Sequence, residues 1–332
     1  NLYMSRGSAF YKPLSGNWSI ELGYDLNTET TEGKRINNTT RQITDAALFT
    51  SILYKPSPSW VVKPGLRAGH NSAYKMPLIP SLNALWNSER WSWRGSYARG
   101  FRAPSLKELY FFFVDVNHNI QGNTNLNAET SHQFQSAITR KFFMPSGLLK
   151  MDIFVYSNHI DNLITLGQTE GALYSYINVG RFHSSGINYE QTYYYKKLKW
   201  SFGYGGNMKT DDSFGSKNAL WTNEGSTSLV YSENTWSIAA FARFFGGNPT
   251  YISNESGESI LVRGEGYSMI DINMQKSFLK TRWQISLGVK NLLNVKTVNS
   301  INTASAHSSA SLQSPVAMGR FYFISLQFNW NK

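Results

Sequence analysis

The feature that most constrains this chain is a two-residue alternation sustained over long stretches. From Trp18, the residues Trp18, Ile20, Leu22, Tyr24 and Leu26 are apolar, while Ser19, Glu21, Gly23, Asp25 and Asn27 between them are small or polar. Successive side chains of a strand point to opposite faces, so this period describes a strand with one apolar and one wet face. The pattern returns at Trp283, Ile285, Leu287 and Val289, and again at Tyr322, Ile324, Leu326, Phe328 and Trp330, each time with mostly polar or small residues between. Weaker versions occupy residues 91–99, 187–195, 200–207, 236–244 and 270–275. Counting the less regular segments, the chain reads as about fifteen strands with no helical stretch between them.

The connections separate this pattern from a soluble sandwich, whose strands average roughly 5–6 residues with turn signals every 8–12. Tight links at 13–16, 56–59, 87–89, 145–147, 196–198, 233–234 and 278–280 alternate with longer ones at 28–42, 69–78, 101–128, 166–173, 209–221, 246–264 and 293–319. Short periplasmic turns alternating with long extracellular loops are the mark of an up-and-down barrel in an outer membrane. Hydrocarbon enforces closure, because every backbone donor and acceptor must be satisfied within the protein. Trp18, Trp60, Trp86, Trp200, Trp236, Trp283 and Trp330 stand beside the short links, where an interfacial aromatic girdle falls. The fold expected is therefore all-β, a transmembrane antiparallel up-and-down β-barrel; the alternative is a soluble all-β protein with buried aromatics.

Composition agrees. The chain is 41% hydrophobic and 15% aromatic but only 16% charged, against about 25% charged in soluble domains, yet its mean hydropathy is only -0.36. Strands that face lipid on one side and a wet lumen on the other average to this value. No apolar run approaches the roughly 20 residues of a membrane-spanning helix. The absence of cysteine excludes disulfide frameworks, thiolate metal sites and cysteine nucleophiles. The net charge of +11 is dispersed rather than gathered on one face, which argues against nucleic acid; it suits anionic ligands and anionic lipid head groups alike. No local signature of a hydrolytic triad is present, and no enzymatic activity is expected.

The first strand, residues 1–12, runs into a short link and so starts outside, whereas the last ends on the periplasmic side. Single-chain bacterial barrels have an even strand number. Residues 1–332 are thus expected to be the C-terminal portion of a barrel whose first strands precede Asn1.

The long link after the sixth strand opens with Gly100, Phe101, Arg102, Ala103, Pro104, Ser105, Leu106, Lys107, Glu108, Leu109 and Tyr110, and closes with Gly122, Asn123, Thr124, Asn125, Leu126, Asn127, Ala128 and Glu129. Here the sequence resembles the TonB-dependent outer-membrane receptors, with their FRAP box and the NPNL-like box of iron-chelate and haem receptors. Residues 176–180 with 186–190 resemble the family's Asn-x-Gly and Gly-x-Glu strand, 289–293 its penultimate-strand box, and 319–322 its terminal strand. The resemblance implies a barrel of about 22 strands holding an N-terminal plug, so the plug, its TonB box and about seven strands would lie outside these residues. The link at 101–128 would then be the seventh extracellular loop.

What the resemblance implies for ligands centres on that loop. Haem receptors of the family carry a histidine between the two boxes, and His118 stands in that interval as a candidate axial ligand to haem iron. Two departures count against it: Thr124 replaces the family's proline, and His118 lies close to the second box. His307, in the last long link, is a second candidate or plain loop. Arg102 and Lys107 can attract carboxylates of an anionic chelate; alternatively Arg102 braces the loop against the wall. Tyr110 with Phe111, Phe112 and Phe113 reads either as an apolar vestibule or as barrel rim. Asn123 and Asn125 of the second box are further binding candidates, whereas His132, His159 and His183 fall on or beside strands and read as structural. The implied function is capture of an extracellular iron chelate, haem or ferric siderophore, and its passage to the periplasm with TonB-coupled energy. A cobalamin receptor of the same fold, a passive porin-like channel and a surface-binding protein are the alternatives. No intrinsic cofactor is expected. The implied partners are the TonB complex through the plug, outer-membrane lipid and a surface lipoprotein.

Overall fold

The computed structural model describes residues 1–332 except 37–38, 116–118, 171–172, 212–218, 254–258, 279–281, 300–312 and 331–332. In chain order its strands are β1 (Leu2–Tyr11), β2 (Trp18–Thr31), β3 (Arg41–Ser57), β4 (Trp60–Asn71), β5 (Ile79–Asn87), β6 (Trp91–Arg102), β7 (Phe112–Val114), β8 (Asn119–Gln121), β9 (Glu129–Met144), β10 (Gly147–Glu170) and β11 (Leu173–Tyr195). They continue as β12 (Leu198–Asp211), β13 (Leu220–Glu233), β14 (Trp236–Phe245), β15 (Pro249–Ser253), β16 (Ser259–Arg263), β17 (Tyr267–Phe278), β18 (Trp283–Lys290), β19 (Thr297–Asn299), β20 (Gln313–Pro315) and β21 (Phe321–Phe328). Fifteen of these have eight residues or more, matching the strand count read from alternation. The six short ones are pairs set inside long connections: β7 with β8, β15 with β16, and β19 with β20.

The chain packs as two compact units: residues 1–137, 156–185 and 209–218, and residues 138–155, 186–208 and 219–332. In the first, β1 to β6 run antiparallel, each paired with the next. The Trp18 alternation sorts cleanly: Leu22, Tyr24 and Leu26 are exposed on one face. On the other, Asp25 takes Arg67 at 3.1 Å and Arg6 at 3.6 Å, and Glu21 takes Lys63 at 3.6 Å. An apolar face laid against lipid needs no covering layer, and a face of linked ions suits a wet lumen. In the second unit β13, β14, β17, β18 and β21 form a similar antiparallel succession.

Aromatic rings mark the tight-turn ends. Trp60 pairs with Trp86, and Trp86 with Trp93, in register; the Trp60 ring lies 6.5 Å from Trp86 and 6.1 Å from Trp93. Tyr11 meets Trp18 at 5.8 Å, Tyr231 meets Trp236 at 5.4 Å, and Trp283 meets Phe328 at 4.7 Å. Two turns need unusual backbone: Lys196 between β11 and β12 has φ +52°, and Gly16 between β1 and β2 has φ +151°.

Three expectations are corrected. The link expected over 166–173 is mostly strand, since β10 runs to Glu170 and β11 begins at Leu173; pairing extended chains satisfies backbone groups that an open loop of that length would leave to water. The link expected over 28–42 narrows likewise, because β2 and β3 stay paired out to Thr31 and Arg41. And the chain is not free of helix: Lys34–Ile36 form a 3-10 turn and Leu106–Tyr110 a short α-helix, α1.

Candidate functional site

The connection from β6 to β9 holds most of the candidate residues. Counted from their tight-turn ends, Arg102 is the twelfth residue of β6 and Glu129 the sixteenth of β9, beyond the roughly 9–11 that cross the bilayer. The segment entering the loop is fixed first by its own chemistry. Ser105 caps α1, accepting from the Glu108 N–H while the Glu108 carboxylate accepts from the Ser105 N–H at 2.7 Å, a reciprocal capping box. This S-x-x-E spacing is the signal in the sequence for the helix. Leu106 and Leu109 then point into a small buried cluster with Leu126, Ile43 and Ile164, which Tyr74, Tyr110 and Tyr176 flank; Pro104 and Leu106 are fully buried.

Arg102 ties the two ends of the loop together. Its Nε and Nη2 donate to the Glu129 carboxylate at 2.7 and 2.5 Å, and its Nη1 donates to both oxygens of Glu108 at 3.0 and 2.9 Å. Glu129 Oε1 also accepts the Ile164 N–H at 2.7 Å. Burial opposes ionisation of Glu129, but Arg102 and the Ile164 N–H outweigh it, so its carboxyl is held below the usual range. Of the two readings of Arg102, the contacts describe the brace.

The second box is held as firmly. Asn123 Nδ2 donates to the Tyr176 carbonyl at 2.9 Å, and its Oδ1 accepts the Asn125 N–H at 2.9 Å. Asn178 Oδ1 accepts the Asn127 N–H at 2.7 Å, and its Nδ2 donates to the carbonyls of Asn127 and Asn162 at 3.0 and 2.7 Å. Gly122 crosses so close to α1 that a Cβ there would lie 2.6 Å from the Leu109 carbonyl carbon. The two sequence boxes therefore meet as one scaffold, with Asn125 exposed at its surface.

Cations lie over three rings of this connection. Arg41 sits 4.5 Å from the Tyr110 ring, Arg35 4.2 Å from Phe113 and 5.9 Å from Phe111, and Lys107 5.4 Å from Phe111. Burial and neighbouring Tyr110 push the Tyr74 hydroxyl up. Arg35, in the β2–β3 connection, and Arg41, the first residue of β3, were not singled out from the sequence, and no local motif announces that they reach the loop after β6. His118 and His307 lie outside the described residues. His132, His159 and His183 fall within β9, β10 and β11; His132 Nδ1 pairs with the Tyr97 hydroxyl and His183 Nε2 with Ser157 Oγ, both at 2.9 Å.

Long antiparallel strands with opposed apolar and ionic faces, aromatic-ringed tight turns and a braced long loop define an outer-membrane β-barrel receptor. A family model described as TonB dependent receptor-like, beta-barrel, matches residues 3–292, and the chain belongs to that family. Its fold is that of the siderophore receptor PirA from Acinetobacter baumannii (TM-score 0.73, 15% identity, covering 98% of this chain and 54% of that one). The siderophore receptor PirA from Pseudomonas aeruginosa is similar to it as well (TM-score 0.69, 18% identity, 98% and 54%). Among curated proteins, hemoglobin and hemoglobin-haptoglobin-binding protein C of Haemophilus influenzae is 39% identical over 85 residues, 24% of this chain and 8% of that protein. Protein B of the same name and organism is 40% identical over 74 residues, 22% and 7%. The chain spans about half of the solved receptors, and the matched segments are a small part of the curated relatives. Membership places the chain in the bacterial outer membrane, in a family of receptors.

Proposed function

We propose that this chain is the C-terminal portion of the barrel of a receptor that captures an extracellular iron chelate, haem first and ferric siderophore second, and delivers it to the periplasm with TonB-coupled energy. The observation that carries the reading is the braced loop: Arg102, Glu108 and Glu129 hold the β6–β9 connection at the extracellular ends of its strands, with the half-buried rings of Tyr110, Phe111 and Phe113 on it. A binding loop on a rigid support keeps its contact residues in place without spending affinity on ordering them. Haem is placed first because the curated relatives are named for haemoglobin binding, and His118 is the proposed axial ligand in this loop, with His307 second. Arg102, Tyr110, Asn123 and Asn125 enter as supports and lining of the vestibule. The chelate is cargo; no resident cofactor is proposed. The plug, its TonB contact and a surface lipoprotein complete the proposed partners.

Spectroscopic titration of the complete receptor with haemin, a ferric tricatecholate and cyanocobalamin tests the reading. Saturable haemin binding with a Soret shift that His118→Ala alters is the expected result. Saturation by cyanocobalamin alone would replace iron by cobalamin, and steady conductance in planar bilayers with no chelate binding would make the protein a porin.

A further inference from the structure

We infer that the outer face of β6 to β11 docks phosphorylated lipid headgroups of the outer leaflet through Arg99, Arg181, His132, His159 and His183. This rests on the outer-membrane placement and not on the cargo, and the site lies on the face turned away from the lumen. Alternation assigns that face. On β4, Pro64, Leu66, Ala68 and His70 are exposed, while Arg67 between Leu66 and Ala68 reaches Asp25 on the ionic side. Register carries the apolar face across the sheet: Pro64 pairs with Leu82 and Leu82 with Tyr97, and Arg99 stands two residues beyond Tyr97. The Tyr97 ring lies 4.8 Å from Phe134, which is 54% exposed, and its hydroxyl meets His132 Nδ1 at 2.9 Å. On β10, exposed Ile153 and Val155 share a face with Ser157 and His159; on β11, exposed Ile187 shares one with His183 and Arg181. Ser157 Oγ meets His183 Nε2 at 2.9 Å, and the His159 and His183 rings are 6.1 Å apart.

These groups also share a height. Counted from the tight-turn ends, Arg99 is the ninth residue of β6, and His132, His159 and His183 are each the thirteenth of β9, β10 and β11. The hydrocarbon takes roughly 9–11, so a lipid-facing side chain at this level meets headgroups. With His70, the eleventh residue of β4, every histidine among the described residues stands here, and all of these groups belong to the first compact unit. Neither arginine forms an ion pair among the described residues. Arg99 Nη1 donates to the Leu78 carbonyl at 3.4 Å, and its Nε has no partner. Asp161 is the acid at this level, its Oδ1 3.5 Å from His159 Nε2. Positive charge therefore exceeds negative at the headgroup boundary. A guanidinium presents a planar fork that fits phosphate oxygens, and the Tyr97 and Ser157 hydroxyls each engage one nitrogen of an imidazole, aiming the other at a ligand.

The test uses the complete receptor in detergent micelles, an Arg99→Gln/Arg181→Gln variant and an Arg99→Lys/Arg181→Lys variant, titrated with bisphosphorylated lipid A, dephosphorylated lipid A and inorganic phosphate. Lipid A should bind saturably, and each arginine removed should weaken it about fivefold, the worth of one basic side chain near an anionic lipid surface. The lysine variant should recover most of that loss. Dephosphorylated lipid A should bind weakly and equally to all three proteins. On the unaltered receptor, lipid A and not its dephosphorylated form should protect His132, His159 and His183 from acylation by diethyl pyrocarbonate. Lipid A binding unchanged in the glutamine variant, both lipids weakened alike, or histidines left unprotected would overturn the inference. Saturation by inorganic phosphate with the same arginine dependence would overturn the lipid as its ligand. Haemin titration separates the site from the cargo: unchanged haemin binding in the glutamine variant is expected, and joint loss would assign both arginines to the chelate site instead.

Discussion

Arg102 closes a two-pronged contact on Glu129, Nε to Oε2 at 2.7 Å and Nη2 to Oε1 at 2.5 Å, and the same Oε1 accepts the Ile164 N–H at 2.7 Å. One carboxylate thereby fastens the start of β9 to both the end of β6 and the middle of β10. Replacing Glu129 by Ala leaves Nε and Nη2 of Arg102 and the Ile164 N–H without their acceptor, while Nη1 keeps Glu108, at a cost of about 1–3 kcal/mol in local stability. Amide exchange at Ile164 should accelerate strongly in this variant, with strands β1 and β2 unaffected. Uniform acceleration would show instead that the brace holds the whole unit.

The same contact carries a pH dependence of known sign. Because the Glu129 carboxyl lies below its ordinary value of 4.5 in the folded loop, its contribution is fully present above that value and is lost as pH falls through the depressed one. Exchange at Ile164 relative to unbraced amides should be flat down to about pH 5 and rise below it. The Glu129→Gln variant should show no such rise.

Gly122 passes within 2.6 Å, measured to the position of a Cβ, of the Leu109 carbonyl carbon. Gly122→Ala must push the second box off α1, costing about 1–3 kcal/mol as overpacking does. Protease cleavage within the 103–128 connection should increase in the otherwise folded receptor.

The two faces of β2 should respond oppositely to charge. Leu22 lies exposed on the apolar face, while Glu21 next to it faces Lys63. Leu22→Arg should cost ~2–4 kcal/mol near the bilayer midplane, and Glu21→Gln far less, since lumenal positions stay wet. Denaturant titration of the receptor folded into lipid vesicles measures both.

Strand count and turn placement were legible because alternation and tight links are local: residues 18–26 are enough to show that Leu22 and Glu21 take different faces. The FRAP and NTNL boxes, equally local, marked the connection in which Arg102 meets Glu108 and Glu129. Their roles were not legible. Arg102 is decided by Glu108 and by Glu129, the latter 27 residues on, and only the register that brings β6 beside β9 makes that pair visible. Arg35 and Arg41 are further removed still, meeting Phe113 and Tyr110 because the β2–β3 connection and the start of β3 converge on the β6–β9 connection. The helix at Leu106–Tyr110 was overlooked although Ser105 and Glu108 stand at capping-box spacing, because five residues are too few to show helical periodicity.

The central claim, that this barrel serves energy-coupled import of an iron chelate, is tested most directly by growth of an iron-starved host expressing the complete receptor on haemin as sole iron source, with and without TonB. Growth that requires both the receptor and TonB is the predicted result. Equal growth with TonB absent, or none on haemin or on any ferric siderophore supplied, would contradict it.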